Sequence, residues 1–364
     1  MTSNGSAAHV ITAFSLAYGL LQLLYGPFGD RYGKFRVILA AVLASVGSQL
    51  GCALAPSLDT LIGFRALAGA TAAGIIPLGM AWVGDLVPYA QRQATLARLL
   101  IGTVLGLAGG QLIGGVSADL FGWRSTFVVL ATLYVLAAVL LWREWRRMRA
   151  EGRETLQRAG PVVAFVPGLR SVLALPWARV VLAVVFLEGA AVFGAFAFIP
   201  TWLHTRFALS LSIAGGVVSF YGLGGLLYAI FAPRLIARMG ERGLARAGAC
   251  LLSTAFASLL LAPVWQYAIV SSFAAGFGFY MLHSTLQTHA TQMAPIVRGT
   301  AVSLFASSLF LGQSAGVAAA ASLIDAVGTS GLFLTASLLV PALGFFFARE
   351  LRRRDAVNGA HAKL

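Results

Sequence analysis

Of the 12 carboxylates in this 364-residue chain, all but one fall at the ends of apolar segments or between them. The exception is Glu188, about ten residues into the apolar stretch 178–203. An acid placed there is costly to keep, and it can take up and release a proton as the polarity around it changes. Two readings stay open for it, a proton- or cation-binding group in a central cavity and a permanently protonated acid bonded to a nearby carbonyl. His283, Gln287 and His289 run along the end of the stretch 265–287 and just past it, with His283 and Gln287 four apart on one helical face. Histidine titrates near neutral pH and suits a proton relay, although a structural hydrogen-bonded histidine is the commoner case. Arg65 is the one cation inside an apolar stretch, where it must find a partner or snorkel toward the surface.

The elements that must position these groups are membrane-length helices. Hydrophobic residues make up 59% of the chain and charged residues 10%, far from the composition of a soluble domain. Eleven stretches match the roughly 20 residues that cross a bilayer core: 9–27, 36–56, 60–83, 97–118, 125–142, 178–203, 211–231, 245–262, 265–287, 299–322 and 331–348. The alternating ten-residue pattern of a membrane β-barrel is missing. The class is therefore an all-α, multi-pass membrane protein, bounded by the lipid bilayer.

Net charge is +14, which raises nucleic acid as a partner until the basic residues are mapped. All of the 26 Lys and Arg except Arg65, Arg124 and Arg206 lie in alternate connections or the tail. That asymmetry follows the positive-inside rule and puts the basic loops and the C-terminus in the cytoplasm. The excess charge sets topology, and no nucleic acid is expected.

The chain also repeats itself. Tyr18-Gly19-Leu20, with Leu23, Leu24, Tyr25, Phe28 and Arg31, returns 203 residues later as Tyr221-Gly222-Leu223 with Leu226, Leu227, Tyr228, Phe231 and Arg234. Gly110-Gln111 with Asp119 returns as Gly312-Gln313 with Asp325. Repeated apolar helices are the mark of transporters built on a pseudo-two-fold axis. The expected organisation is an N-terminal bundle over 1–142, a cytoplasmic linker over 143–177, a C-terminal six-helix bundle over 178–348 and a basic tail over 349–364. The repeat implies six plus six helices, whereas the stretches supply five plus six. A start codon set too far downstream, a truncation and a genuine 11-helix protein are all compatible with that. No signal-peptide pattern is seen.

The loop Gly26-Pro-Phe-Gly-Asp-Arg-Tyr-Gly-Lys-Phe-Arg36 resembles the signature between the second and third helices of the major facilitator superfamily, matching at Gly26, Asp30, Arg31, Gly33 and Lys34. Phe35 departs from it, where a second basic residue is usual. The resemblance implies the major facilitator fold, with the present segments 9–142 equivalent to helices two to six. It also implies a cytoplasmic gate, in which this charge cluster latches the halves and the carboxylate faces the positive end of a second-half helix. Arg65-Ala-Leu-Ala-Gly69 is similar to a second family motif, which gives Arg65 a role in proton coupling through the family's first helix. Gly102, Gly106, Gly110 and Gly114, spaced by four and followed by Gly115, allow close helix packing. They resemble the glycine-rich fifth helix of the family's drug-efflux antiporters, with Gln111 where proline is common.

Gln22, Gln111, Gln313, Tyr18 and Tyr221 are the candidate substrate-cavity residues, with helix-to-helix bonding as the alternative. Trp202, Trp265 and Tyr267 read as interfacial anchors, and Cys52 and Cys250 as buried thiols. No phosphate-binding loop and no metal-ligand spacing occur, so no metal, cofactor or enzymatic chemistry is expected. The resemblance implies a secondary transporter in the inner (plasma) membrane, a monomer exchanging protons for small organic molecules in the outward direction. Import of a polar or anionic nutrient and a non-transporting truncated protein are the alternatives.

Overall fold

The computed structural model describes residues 4–86, 89–152 and 165–361, and among them regular structure is helical, with no strand. Helices α1 (Asn4–Tyr32), α2 (Lys34–Leu54), α3 (Leu58–Ala72), α4 (Ile75–Leu86), α5 (Tyr89–Phe121) and α6 (Trp123–Ala150) form the first part of the chain. A short helix α7 (Phe165–Ala174) leads to α8 (Pro176–Glu188), which continues through a π-helical turn at Gly189–Phe193 into α9 (Gly194–Phe196) and α10 (Ile199–Phe207). The chain ends with α11 (Leu211–Leu260), α12 (Tyr267–Gln292) and α13 (Arg298–His361). Among the described residues, eight helical runs are long and apolar enough to cross a membrane, and Leu105–Phe121 is a shorter apolar helix.

Chain reversals are set by glycine. Gly33 has φ 92° and separates α1 from α2, while Gly240 (φ 63°) and Gly328 (φ 75°) break α11 and α13 inside their lengths. A residue with a Cβ is strained at such angles, so these positions turn the chain where an ordinary residue would continue the helix. Segment 60–83 is interrupted as well, by a turn between α3 and α4. The Tyr25 hydroxyl donates to the carbonyls of Ala70 (2.9 Å) and Thr71 (3.1 Å) there, meeting part of the hydrogen-bonding need that a helix end leaves open.

The linker expected from residue 143 begins inside a helix, since α6 continues to Ala150. The expected tail from residue 349 likewise lies within α13. Residues 153–164 of that linker are outside the described residues.

The two sequence repeats meet each other across the molecule. Helix α1, carrying Tyr18-Gly19, packs on the first part of α13, where Gly19 lies against Leu311 and the Tyr18 ring is 4.1 Å from Phe310. The Ser314 hydroxyl donates to the Thr12 carbonyl at 3.2 Å on the same seam. Helix α11, carrying Tyr221-Gly222, meets α5 in the corresponding way. A Cβ on Gly115 would collide with the Leu211 carbonyl, and one on Gly215 with the Gln111 carbonyl. Each Tyr-Gly-Leu helix thus crosses the Gly-Gln helix of the other half, as exchange about a two-fold axis requires.

Two side chains depart from expectation. Trp202 is buried at 2% exposure, edge-on to Phe207 and Phe333, and so fills the interior instead of anchoring at an interface. Cys250 is exposed, on the outer surface of α11, whereas Cys52 is buried as expected.

Candidate functional site

Glu188 closes α8 and is fully buried, at 0% exposure. Its Oε2 lies 2.8 Å from Nδ1 of His283 on α12, so the two groups share one proton along that line. Its Oε1 is buried and has no hydrogen-bond partner among the described residues. The imidazole stacks on Phe279, one turn earlier on α12, at 4.8 Å and 15°, and Phe305 of α13 lies 5.2 Å from it. Tyr221 of α11 completes the wall, 5.9 Å from Phe279 and 4.5 Å from Phe196. The Tyr221 hydroxyl is likewise buried and unpartnered among the described residues. Two orphaned polar atoms in an aromatic setting are expensive, and functional sites are where such costs are retained.

Backbone packing holds the acid in place. A Cβ on Gly312 would collide with the Phe186 carbonyl, and one on Gly316 with the Ala190 carbonyl. Helix α13 therefore touches the backbone two residues before and two residues after Glu188, an approach open only to glycine. The π turn begins at the next residue, Gly189. Such turns are rare and recur at functional sites.

The sequence-derived candidates divide into groups. Glu188 and His283 come together, and Tyr221 joins them. Arg65 stands elsewhere: its Nε donates to the Val10 carbonyl at 3.4 Å, and its guanidinium lies 4.4 Å from the Phe14 ring and 5.9 Å from Phe127. Its described contacts are with α1 and α6, so it ties the first half together. Tyr18 and Gln22, one turn apart on α1, are both buried, and Gln22 Oε1 has no partner among the described residues. Gln111 and Gln313 are half-buried. Backbone of Gln111 meets Gly215, and backbone of Gln313 lies beside Gly189. Among the described residues, Gly102, Gly106 and Gly110 of α5 have nothing within 4 Å of where a Cβ would sit, and Gly114 has only Thr126, at 3.7 Å. Close backbone approach falls at Gly115.

At the end of the molecule that carries the basic loops, Lys34 Nζ bridges Asp30 (3.4 Å) and Asp85 at the end of α4 (2.5 Å). Arg31 lies 5.3 Å from the Tyr32 ring, and Gly26 has nothing within 4 Å of a Cβ position among the described residues. Both ion pairs of Lys34 stay within the first half. The second half holds a counterpart with the charges exchanged. Glu241, directly after the Gly240 break, contacts His289 Nε2 at 2.9 Å, and Arg354 donates to His289 Nδ1 at 3.1 Å. At the opposite end, Asp119 at the close of α5 accepts from the Leu211 and Ser212 N–H groups (3.0 and 2.5 Å) and from the Ser212 hydroxyl (2.6 Å). These bonds hold the Asp119 carboxyl below the usual carboxylate range, the Ser212 hydroxyl contributing most. In the sequence Asp119 marks the repeat with Asp325, and nothing in its spacing signals this contact across the halves.

The fold, the crossing repeats and the buried acid all point to one class, the membrane transporters with two related helical halves. The model of the Major Facilitator Superfamily matches residues 1–316, and the chain belongs to that family. It is 27% identical over 319 residues to the uncharacterized MFS-type transporter YceJ of Bacillus subtilis, covering 85% of this chain and 78% of that protein. It is 28% identical over 258 residues to a chloramphenicol resistance protein of Pseudomonas aeruginosa, covering 70% of this chain and 50% of the relative. A variant of the nucleoside transporter NupG superposes with a TM-score of 0.77 at 13% identity, covering 95% of this chain and 90% of that one. The protein is thus a multi-pass membrane transporter of the major facilitator fold.

Proposed function

We propose that this transporter exports small organic molecules in exchange for protons, and that Glu188 and His283 carry the proton. The bundle 1–142 would rock against 178–348 about a midplane site, joined by 143–177, with the C-terminus and basic loops in the cytoplasm and the chain in the inner membrane. The observation that carries this reading is the Glu188–His283 contact: a fully buried acid, 2.8 Å from an imidazole, with its second oxygen unsatisfied among the described residues. A carboxyl and an imidazole are the two side chains best suited to reversible proton binding near neutral pH. Arg65 serves as a structural cation in this scheme, steadying α1 against α3. The Lys34 cluster with Asp30, Arg31, Gly26 and Gly33 acts as the cytoplasmic gate, and Tyr18, Gln22, Gln111, Gln313 and Tyr221 border the substrate path. Outward transport is favoured by the likeness to a chloramphenicol resistance protein.

The test uses inverted membrane vesicles acidified inside, with chloramphenicol, ethidium and a panel of small metabolites added in turn. An exporter releases lumenal protons when its substrate is added, and vesicles lacking the protein do not. A compound that enters only together with protons would instead establish symport and overturn the direction.

A further inference from the structure

A groove of about 480 Å³ runs between α2 and α6, distant in sequence from every group in the proton scheme. Leu43 of α2 and Val135, Ala138 and Val139 of α6 line it, and Trp142, Arg143 and Arg146 close its basic end. Residues 135, 139, 142, 143 and 146 form one stripe along α6. We infer that this groove is a binding site for an anionic phospholipid, with one acyl chain along Val135 and Val139 and the phosphate on Arg143 and Arg146.

Length, charge and availability each support the assignment. Val135 and Arg146 are eleven residues apart, or about 16 Å at the α-helical rise. Half of a hydrocarbon core about 30 Å thick is about 15 Å, so the groove spans one leaflet. Both arginines lie where α6 leaves its apolar stretch, which is headgroup depth, and Trp142 packs 5.0 Å from Trp145 there in the manner of an interfacial belt. Neighbouring arginines are already engaged, Arg147 with Glu151 at 3.0 Å and Arg149 over the Trp145 ring at 5.5 Å. Arg143 and Arg146 make no ion pair with a described residue, and no acid lines the groove. Two free guanidinium groups at the mouth of an apolar slot fit a phosphate diester whose chain fills the slot.

Native mass spectrometry of the full-length protein in detergent tests this, with dioleoylphosphatidylglycerol and dioleoylphosphatidylcholine as probes. Wild type should bind its first phosphatidylglycerol more tightly than phosphatidylcholine. Arg143→Gln with Arg146→Gln should weaken the anionic lipid by about 30-fold and leave phosphatidylcholine unchanged. Arg349→Gln with Arg352→Gln, the same charge change on the tail, should alter neither. Val139→Phe, which fills the slot at an exposed position, should weaken both lipids, and it decides the matter if the double arginine variant does not fold. Undiminished phosphatidylglycerol binding in the groove variants, or equal loss in the tail control, would overturn the assignment.

Discussion

Replacing Glu188 with glutamine separates transport from coupling. Glutamine has the shape of a protonated glutamic acid, and its carbonyl can still accept from His283 across the 2.8 Å contact. If the resting pair is a neutral acid and a neutral imidazole, the change touches one uncharged hydrogen bond, with a net effect of about 0.5–1.5 kcal/mol. Breaking a buried charged pair would cost about 3–5 kcal/mol, enough to lower the folded yield sharply. A neutral pair gives the smaller figure, seen as a thermal transition in detergent close to that of wild type. Coupling should vanish all the same, because the pair carries the proton jointly and His283, left as its one protonatable member, no longer has an acid to pass the proton to or take it from. One proton exchanged per substrate supports about tenfold accumulation for each unit of pH difference. Wild-type vesicles at a one-unit difference should approach that ratio, while the Glu188→Gln variant should equilibrate to no gradient. Exchange of labelled for unlabelled substrate without a pH difference should persist in the variant. A Glu188→Gln protein that still accumulates substrate in response to the pH difference would refute the argument.

Close packing offers a sharper contrast between two glycines. Gly312→Ala drives a methyl into the Phe186 carbonyl and should abolish folded protein on gel filtration, whereas Gly102→Ala meets nothing within 4 Å and should leave stability unchanged or raised by up to about 1 kcal/mol. Asp119→Asn should loosen the end of the molecule where α5 holds α11, broadening the α5–α11 distance distribution in spin-label measurements; an unchanged distribution would count against the contact. Because that carboxyl is held below its usual range, the contact contributes stability above the ordinary aspartate value of about pH 4 and loses it only as pH falls through the lowered one. Tyr25→Phe removes the hydroxyl from the Ala70 and Thr71 carbonyls and should cost about 1 kcal/mol in detergent unfolding.

The helices and their repeat were readable from the chain because both are properties of local sequence. A stretch such as 178–203 announces itself by length and apolarity, and Tyr18-Gly19-Leu20 recurs almost letter for letter. Facing was not readable. In lipid both the inner and outer surfaces of a helix are apolar, so little periodicity distinguishes them, and α12 and α13 carry almost no amphipathic signal. His283 and Glu188 were therefore separate candidates, 95 positions apart, until packing joined them. The same blindness made Trp202 look like a surface anchor and gave equal weight to glycines that differ completely in their surroundings. Gly115 and Gly312 admit a neighbouring backbone, while Gly102, Gly106 and Gly110 face open space. Reversed charge in the second half escaped notice because Lys34 and Glu241 share a position after a turning glycine but no chemical type.

The π turn at Gly189–Phe193 has a consequence for how such a site arises. A π turn holds one residue more than the α-helical turn it replaces and closes over nearly the same angle. Deleting a single codon in 189–193 would therefore restore an uninterrupted helix and leave its two ends facing as before. Glu188 would stay inside with Ile199, Trp202 and Leu203, and only the wider backbone turn after it would be lost. Acid and turn are thus separable in descent, and a lineage could gain or lose the turn without exposing the acid.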